Sequence, residues 1–179
     1  MDRLVKINTV EDIFPQYRGT PIEELLQFHN LGKESESFDS AQLLIGMCMD
    51  NRKSLNIPEN FAYIIRTGGG NLRYSEFKVS YAIGVGNVKY IALIGHDNCG
   101  MVNLVSRKDI FINGLVENAG WDKESAKEHF MNLAPMFELD NEIDFLLSEA
   151  KRLRRRYPKI TIAPILYLVD DNKLYLVKE

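Results

Sequence analysis

The sequence predicts an α/β fold in which a mostly parallel β-sheet is flanked by helices. Three short apolar segments, at residues 42–47, 61–65 and 88–94, have the length and near-continuous hydrophobicity of strands that are buried on both faces. Helical segments and polar connections alternate with them, which is the pattern of a parallel sheet covered by helices. The chain has 179 residues, so we expect residues 1–179 to form a single domain.

We predict four helices, at residues 20–30, 71–84, 121–132 and 140–157. Thr20 can cap the first helix, while Pro21 suits its first position and Glu23 can close a capping box. The third helix is expected to end before Pro135. Two final strands, at residues 160–169 and 173–177, are separated by polar turn residues and predict a closing hairpin or edge strand.

Charge excludes several classes of partner. The basic run at residues 151–156 includes the apolar Leu153 and lies at the C-terminal end of a predicted helix, where cations are favourable. A net charge of -3 gives no basic field for nucleic acid or an anionic membrane. We therefore expect a solvated helix end and no nucleic-acid partner. No apolar stretch reaches the roughly 18 residues of a membrane-spanning helix.

The two cysteines, Cys48 and Cys99, are expected to be reduced. Acidic residues in the N-terminal segment stand where a signal peptide would need an apolar core, which predicts a cytoplasmic protein. The cysteines are then free thiols or metal ligands. A disulfide between them is the alternative.

Two of the predicted strands lead directly into metal-ligating residues. Residues 90–100, YIALIGHDNCG, run from an apolar strand into a turn that carries His96 and Cys99, and Cys48 ends another apolar run. Ligands gather at the carboxyl ends of strands in open parallel sheets. Imidazole and thiolate are ligands that zinc prefers, and three protein ligands with an open fourth position are typical of catalytic zinc. The sequence therefore predicts a Zn²⁺ site formed by Cys48, His96 and Cys99.

Asp50 and Arg52 follow the first ligand at alternate positions. In an extended segment, residues two apart share a face, so both side chains are expected to point into the same pocket as Cys48. If Arg52 binds Asp50 in a bidentate pair, the carboxylate stays ionised and can accept a hydrogen bond from water on the zinc. Two alternatives remain: Asp50 can itself occupy the fourth position on zinc, or the pair can be a surface ion pair.

The motifs C-x-D-x-R at residues 48–52 and H-x-x-C-G at residues 96–100 resemble those of β-class carbonic anhydrases, especially the compact prokaryotic members. The resemblance implies reversible hydration of carbon dioxide to bicarbonate through a zinc-bound hydroxide. Asp50 and Arg52 would be the catalytic residues. It also implies a mostly parallel α/β fold and a homodimer or higher homo-oligomer.

The segment RTGGG departs from the Arg-Asn-Ala-Gly-Gly pattern of this family, because Thr67 and Gly68 replace the asparagine and the alanine. Gly68 and Gly69 are expected either to form a wall of the substrate pocket or to form a simple strand-to-helix turn. Ala163 and Pro164 stand in a region where compact members carry a His-Gly pair. These departures bear on the substrate pocket and leave the metal ligands intact.

Three functions are consistent with these features. The first is a carbonic anhydrase, and the second is a hydrolase of carbonyl sulfide or carbon disulfide on the same scaffold. The third is a non-catalytic regulatory domain that binds zinc, which would need neither Asp50 nor Arg52. The other histidines, His29 and His129, have no ligand at metal spacing and are expected to be surface or capping residues.

Overall fold

A computed structural model describes residues 3–179, in which six strands form one sheet. The strands are β1 (Leu4–Lys6), β2 (Leu43–Cys48), β3 (Ala62–Thr67), β4 (Tyr90–His96), β5 (Thr161–Leu168) and β6 (Lys173–Val177). Their order across the sheet is β1-β6-β5-β4-β2-β3. The four neighbours β5, β4, β2 and β3 pair in parallel, whereas β6 is antiparallel to both β5 and β1. The predicted α/β fold with a mostly parallel sheet is confirmed, and the sheet is mixed.

The described part of the chain contains five α-helices beside the sheet: α1 (Pro21–Leu31), α2 (Glu76–Gly84), α3 (Lys108–Ala119), α4 (Lys123–Phe137) and α5 (Glu142–Arg156). The four predicted helices correspond to α1, α2, α4 and α5. The sequence reading missed α3 and the short strand β1. No helix within residues 3–179 has the length and apolar character needed to cross a membrane.

The side chains of the sheet divide between two apolar layers. In β2, Ile45 and Met47 pack on the side covered by α1, while Leu44 packs on the side covered by α2 and α5. Successive residues of a strand point to opposite faces, so a strand covered on both faces needs apolar residues at every position. This is why the segment Leu43–Cys48 is continuously buried.

Strand β3 was predicted to be buried and to stop at Arg66, and the structure differs on both points. It runs to Thr67 and pairs with β2 alone, at the edge of the sheet. Tyr63 and Ile64 are 39% and 47% exposed. Hydrophobicity indicated a strand correctly, but it does not distinguish an edge position from a central one.

Helix α4 does not end before Pro135, as the sequence had predicted. It continues to Phe137, and the backbone N–H of Glu138 still bonds to the carbonyl oxygen of Ala134. Ala134 and Phe130 are buried against the rest of the molecule. Packing therefore maintains this last turn despite the missing proline donor.

The basic end of α5 is paired within the chain. Arg152 binds the buried carboxylate of Glu149 and also Glu76, and Arg154 binds the C-terminal residue Glu179. These ion pairs involve arginines of the basic run at residues 151–156, which was expected to be a solvated helix end.

Candidate metal centre

Cys48, His96 and Cys99 meet at the carboxyl edge of the sheet. Cys48 is the last residue of β2, His96 is the last residue of the neighbouring strand β4, and Cys99 lies in the turn that follows. All three are buried, with exposed fractions of 3%, 1% and 5%. Their ligand atoms lie within 4.8 Å of one another, and the two Sγ atoms, which are free thiols, are 4.0 Å apart.

The ring of His96 is oriented for metal binding. Its Nδ1 is 2.7 Å from the carbonyl oxygen of Asp97, so Nδ1 carries the proton and donates to that oxygen. Its Nε2 is then a lone-pair acceptor that is buried and has no hydrogen-bond partner. A backbone carbonyl that fixes the tautomer of a ligating histidine is a common second interaction at metal sites.

The donor set and its spacing fit zinc. Two thiolates that bind one tetrahedral zinc at about 2.3 Å are about 3.8 Å apart, close to the observed separation of the sulfur atoms. A zinc ion bound to both sulfur atoms and to Nε2 would also satisfy the unpartnered imidazole nitrogen. The group is therefore a candidate metal site, and its donors suit zinc.

The two thiols form a hydrogen bond with each other. The hydrogen bond from Cys99 lowers the pKa of the Cys48 thiol, and the same bond, together with burial, raises the pKa of Cys99. The backbone N–H of Cys99 donates to Glu142 Oε1 at 3.1 Å, so the first turn of α5 fixes the position of this ligand.

Asp50 and Arg52 form a bidentate pair beside the metal ligands. Arg52 Nη2 lies 2.7 Å from Asp50 Oδ2, and Arg52 Nε lies 3.0 Å from Oδ1. Arg52 Nη2 also donates to the carbonyl oxygen of Asn98, which links this loop to the turn that carries Cys99. The hydrogen bonds from Arg52 hold the pKa of Asp50 well below its usual range. Asp50 Oδ2 is 3.8 Å from His96 Nε2, so the carboxylate faces the metal group.

A backbone turn brings Asp50 and Arg52 together. The sequence argument assumed an extended segment after Cys48, but residues 51 and 52 form a turn in which the backbone N–H of Arg52 donates to Asp50 Oδ1 at 2.9 Å. An aspartate commonly stabilises such a turn by accepting from the residue two positions later. The structure brings Asp50 and Arg52 together by this local bond.

Arg66 holds the same loop from the neighbouring strand. Its Nη1 donates to the carbonyl oxygens of Cys48 and Asp50, each at 3.4 Å, and its Nη2 donates to that of Lys53 at 3.3 Å. Lys53, which the sequence reading did not single out, is only 3% exposed. Nothing in the polar run around it indicated burial.

The glycine segment lies beside an apolar pocket. Gly68 lines a cavity of about 240 Å³ whose other walls are almost entirely apolar. The remaining lining residues are Met49, Met101, Leu104, Phe111, His129, Phe130, Leu133, Ala134 and Phe137. Met101 also packs against the cluster that contains Cys48 and Cys99, so the pocket adjoins the metal group.

Gly69 has a different environment from Gly68. It adopts a left-handed backbone with φ of 64°, and a Cβ there would approach Leu139 Cδ1 to 2.8 Å. Gly70 has φ of 74° and lies against the backbone of β2 and β4. These two glycines allow the turn to pack closely under the metal ligands.

The other residues noted in the sequence lie away from the metal ligands. Ala163 and Pro164 are in β5, where they pair with Ala92 and Leu93 of β4. His29 lies in α1: its Nε2 donates to the carbonyl oxygen of Asn172, and its Nδ1 accepts from the backbone N–H of Asn56.

His129 lies in α4 and is part of the apolar pocket wall. Its ring is near those of Phe111 and Trp121, at centroid distances of 6.1 and 5.1 Å.

Solved structures with the same architecture are mainly β-carbonic anhydrases. The β-carbonic anhydrase isoform I of Trichomonas vaginalis superposes with a TM-score of 0.63 and 18% identity, covering 83% of this chain and 90% of that chain. A carbonic anhydrase from Glaciozyma antarctica gives a TM-score of 0.59 and 20% identity, with coverages of 90% and 98%. A carbon disulfide hydrolase in its apo form gives 0.53 and 20%, with coverages of 77% and 79%.

No protein-family model and no curated protein sequence matches this chain. At identities of 18 to 20%, the similarity to these solved structures is one of fold. The chain therefore has the β-carbonic anhydrase fold, as the sequence motifs had suggested.

We expect the purified protein to bind about one zinc ion per chain, because three buried donors converge on one point. Substitution of Cys48→Ala, Cys99→Ala or His96→Ala should lower the zinc content several-fold, as measured by elemental analysis after dialysis. His129→Ala is the matched control and should retain the metal. Full zinc content in the two cysteine variants would show that the ligands are elsewhere.

Proposed function

We propose that the protein is a zinc-dependent carbonic anhydrase that interconverts carbon dioxide and bicarbonate. The observation that carries this proposal is the buried group of Cys48, His96 and Cys99 beside an aspartate that Arg52 holds in a bidentate pair. The β-carbonic anhydrase fold supports it. Residues 1–179 would act as one zinc-binding domain in the cytoplasm, where the thiols stay reduced.

Cys48, His96 and Cys99 would hold the zinc ion, which supplies Lewis acidity and lowers the pKa of water that it coordinates. Asp50 would accept a hydrogen bond from the attacking water and so direct the oxygen lone pair towards the carbon atom. One C–O bond forms as one C=O π bond of carbon dioxide breaks and its electron pair moves to oxygen. An O–H bond of the water also breaks, and its proton leaves to buffer. The chain's own contribution is to position this water and to keep the acceptor ionised.

Arg52 has two roles in this scheme. Its hydrogen bonds keep Asp50 ionised, since they favour the charged carboxylate. They also occupy both carboxylate oxygens, which opposes direct binding of Asp50 to the metal. A non-catalytic zinc domain would need neither interaction, so this pair favours an enzyme over a regulatory domain.

The apolar pocket suits a neutral, linear substrate. Its lining includes one titratable side chain, His129, while the rest is aliphatic, aromatic, thioether or glycine. Carbon dioxide has no net dipole and loses little hydration on entering such a site. The pocket would therefore admit the substrate next to the metal group while offering water few hydrogen bonds.

A second candidate is hydrolysis of carbonyl sulfide or carbon disulfide by the same site. It is favoured by the pocket volume of about 240 Å³ and by Gly68, where the family pattern has alanine. A Cβ at Gly68 would lie 3.0 Å from Met101 Sδ and 3.2 Å from Phe137 Cδ1, so its absence widens the pocket. One solved structure of this fold is a carbon disulfide hydrolase.

We also propose a homodimer or higher homo-oligomer. Helix α1 gives no reason for it, because its apolar residues Ile22, Leu25 and Leu26 are fully buried within their own chain. The proposal rests on the family resemblance and on the exposed edge of β3 with the adjoining helix α2. Phe77 and Tyr81 of α2 line one groove with Tyr63 and Ile64 of β3, and these side chains are 39–83% exposed.

We expect zinc-loaded protein to hydrate carbon dioxide with a rate that rises from about pH 7 towards about pH 9. Two thiolates neutralise the charge of zinc, so coordinated water is a weaker acid than at an all-histidine site. Asp50→Asn and Arg52→Ala should each lose about 10²-fold in rate while keeping the metal. Stopped-flow hydration assays with matched zinc content would measure both effects.

Two exposed residues provide controls for these variants. Asp39→Asn, in the segment that precedes β2, and Arg155→Ala, in the last turn of α5, change the same chemical groups at the opposite edge of the sheet from the metal ligands and should retain the wild-type rate. A zinc-loaded protein with no hydration at any pH would exclude the carbonic anhydrase assignment.

Gly68→Ala tests the second candidate. Its new methyl group narrows the pocket, so kcat/KM for carbon disulfide should fall about tenfold relative to that for carbon dioxide. Gly84→Ala is the control, because a Cβ there meets no atom within 4 Å. A wild-type protein that hydrates carbon dioxide but does not hydrolyse carbon disulfide would exclude this candidate.

Light scattering at micromolar concentration should give at least twice the chain mass of 20.6 kDa. If the surface formed by the edge of β3 and helix α2 is the interface, Phe77→Asp should shift the protein towards monomer, because the new charge would be buried against the partner. Ile110→Asp, on the exposed face of α3, is the control. A wild-type monomer would refute the oligomer proposal.

A further inference from the structure

Lys53 is a buried cation without a hydrogen-bond partner. Within residues 3–179, two buried side-chain polar atoms lack any partner, and these are Lys53 Nζ and His96 Nε2. The imidazole nitrogen is accounted for by the proposed metal. The ammonium group is not, and a buried charge without a partner is strongly unfavourable.

Lys53 lies in the loop that follows Cys48, and its ammonium is close enough to the metal ligands to interact with them electrostatically. The groups near it are the sulfur atoms of Cys48 and Cys99, which are anionic as thiolates, the carboxylate of Asp50 and the guanidinium of Arg66. Burial lowers the pKa of Lys53, while these anionic groups raise it. The hydrogen bonds from Arg66 to three carbonyl oxygens fix the loop in which Lys53 and Asp50 lie.

The charges of this site show what the lysine can stabilise. With zinc bound, two thiolates cancel the charge of the metal, and Arg52 pairs with Asp50. The positive charge of Arg66 on the ligand loop is offset by the carboxylate of Glu142, which accepts from the backbone N–H of Cys99. The metal and its immediate partners are then neutral without Lys53, so its buried ammonium leaves a positive charge. An anion next to the metal would neutralise it, and the attraction is strong because both charges are shielded from water.

We propose that Lys53 is a positioning residue whose buried ammonium favours a monoanion at the metal site. This inference rests on the proposed function: the neutral substrate becomes bicarbonate, and the positive charge stabilises that product as it forms. The residue would act through electrostatic attraction, without contact with the metal. Other small monoanions should bind for the same reason.

Cobalt-substituted protein allows the inference to be tested without turnover, because a new ligand changes the visible spectrum of the metal. The probes are azide, a linear monoanion, and imidazole, which is largely uncharged at pH 8. Lys53→Met should weaken azide binding about tenfold or more and change imidazole binding less than threefold. Lys53→Arg, which keeps the charge, should retain most of the azide affinity.

Lys89→Met is the matched control, since Lys89 is exposed and directly precedes β4 at the opposite edge of the sheet from His96. If Lys53→Met fails to fold or to bind cobalt, Lys53→Gln is used in its place. Equal azide affinity in wild-type protein and the folded neutral variant would overturn the inference, as would a parallel loss of azide and imidazole.

The proposed function can fail separately. A wild-type protein that hydrates no carbon dioxide would exclude that function, while a selective loss of azide binding in Lys53→Met would still support the anion role. Conversely, an active enzyme whose azide affinity does not depend on Lys53 would exclude the inference alone.

Discussion

The parallel pairing of β2 with β4 is the constraint on which the site depends. Because both strands run in the same direction, Cys48 and His96 are delivered to the same edge of the sheet. If β2 shifted by one residue relative to β4, the side chains of β2 would turn to the opposite face of the sheet, and Cys48 would point away from His96. Close packing opposes this shift: a Cβ at Gly46 would lie 2.7 Å from Leu72 Cδ1, so a larger residue does not fit at that position of β2. The core that stabilises the fold therefore also sets the spacing of the ligands.

Strong apolar runs made the central sheet predictable from the sequence, and the motifs at the strand ends indicated where three ligands would meet. Other features depended on contacts that a single sequence does not reveal. The exposure of β3 follows from its place at the sheet edge, and the last turn of α4 depends on the burial of Ala134. The short strand β1 has too few residues for periodicity, and it forms by pairing with β6.

The surroundings of the ligands were predicted less completely for the same reason. Asp50 and Arg52 do meet, but a local turn brings them together where an extended segment had been assumed. Lys53 lies in a polar run and gave no sign of burial, because its environment is created by β3, the ligand loop and the metal group together. A lysine enclosed in this way is recognisable only when all three are seen in space.

The proposed reaction begins with a neutral molecule and ends with an anion, and the two sides of this change need different surroundings. The pocket beside Gly68 offers an apolar wall, and neither Asp50, Arg52 nor Lys53 contributes to its lining. Those three charged residues belong to the loop that follows the first metal ligand. An uncharged substrate can thus approach without displacing tightly held water, while the charge that develops during the reaction meets fixed groups that need little rearrangement. On this view the apolar wall governs which substrate enters, and the loop governs how well the anion is stabilised.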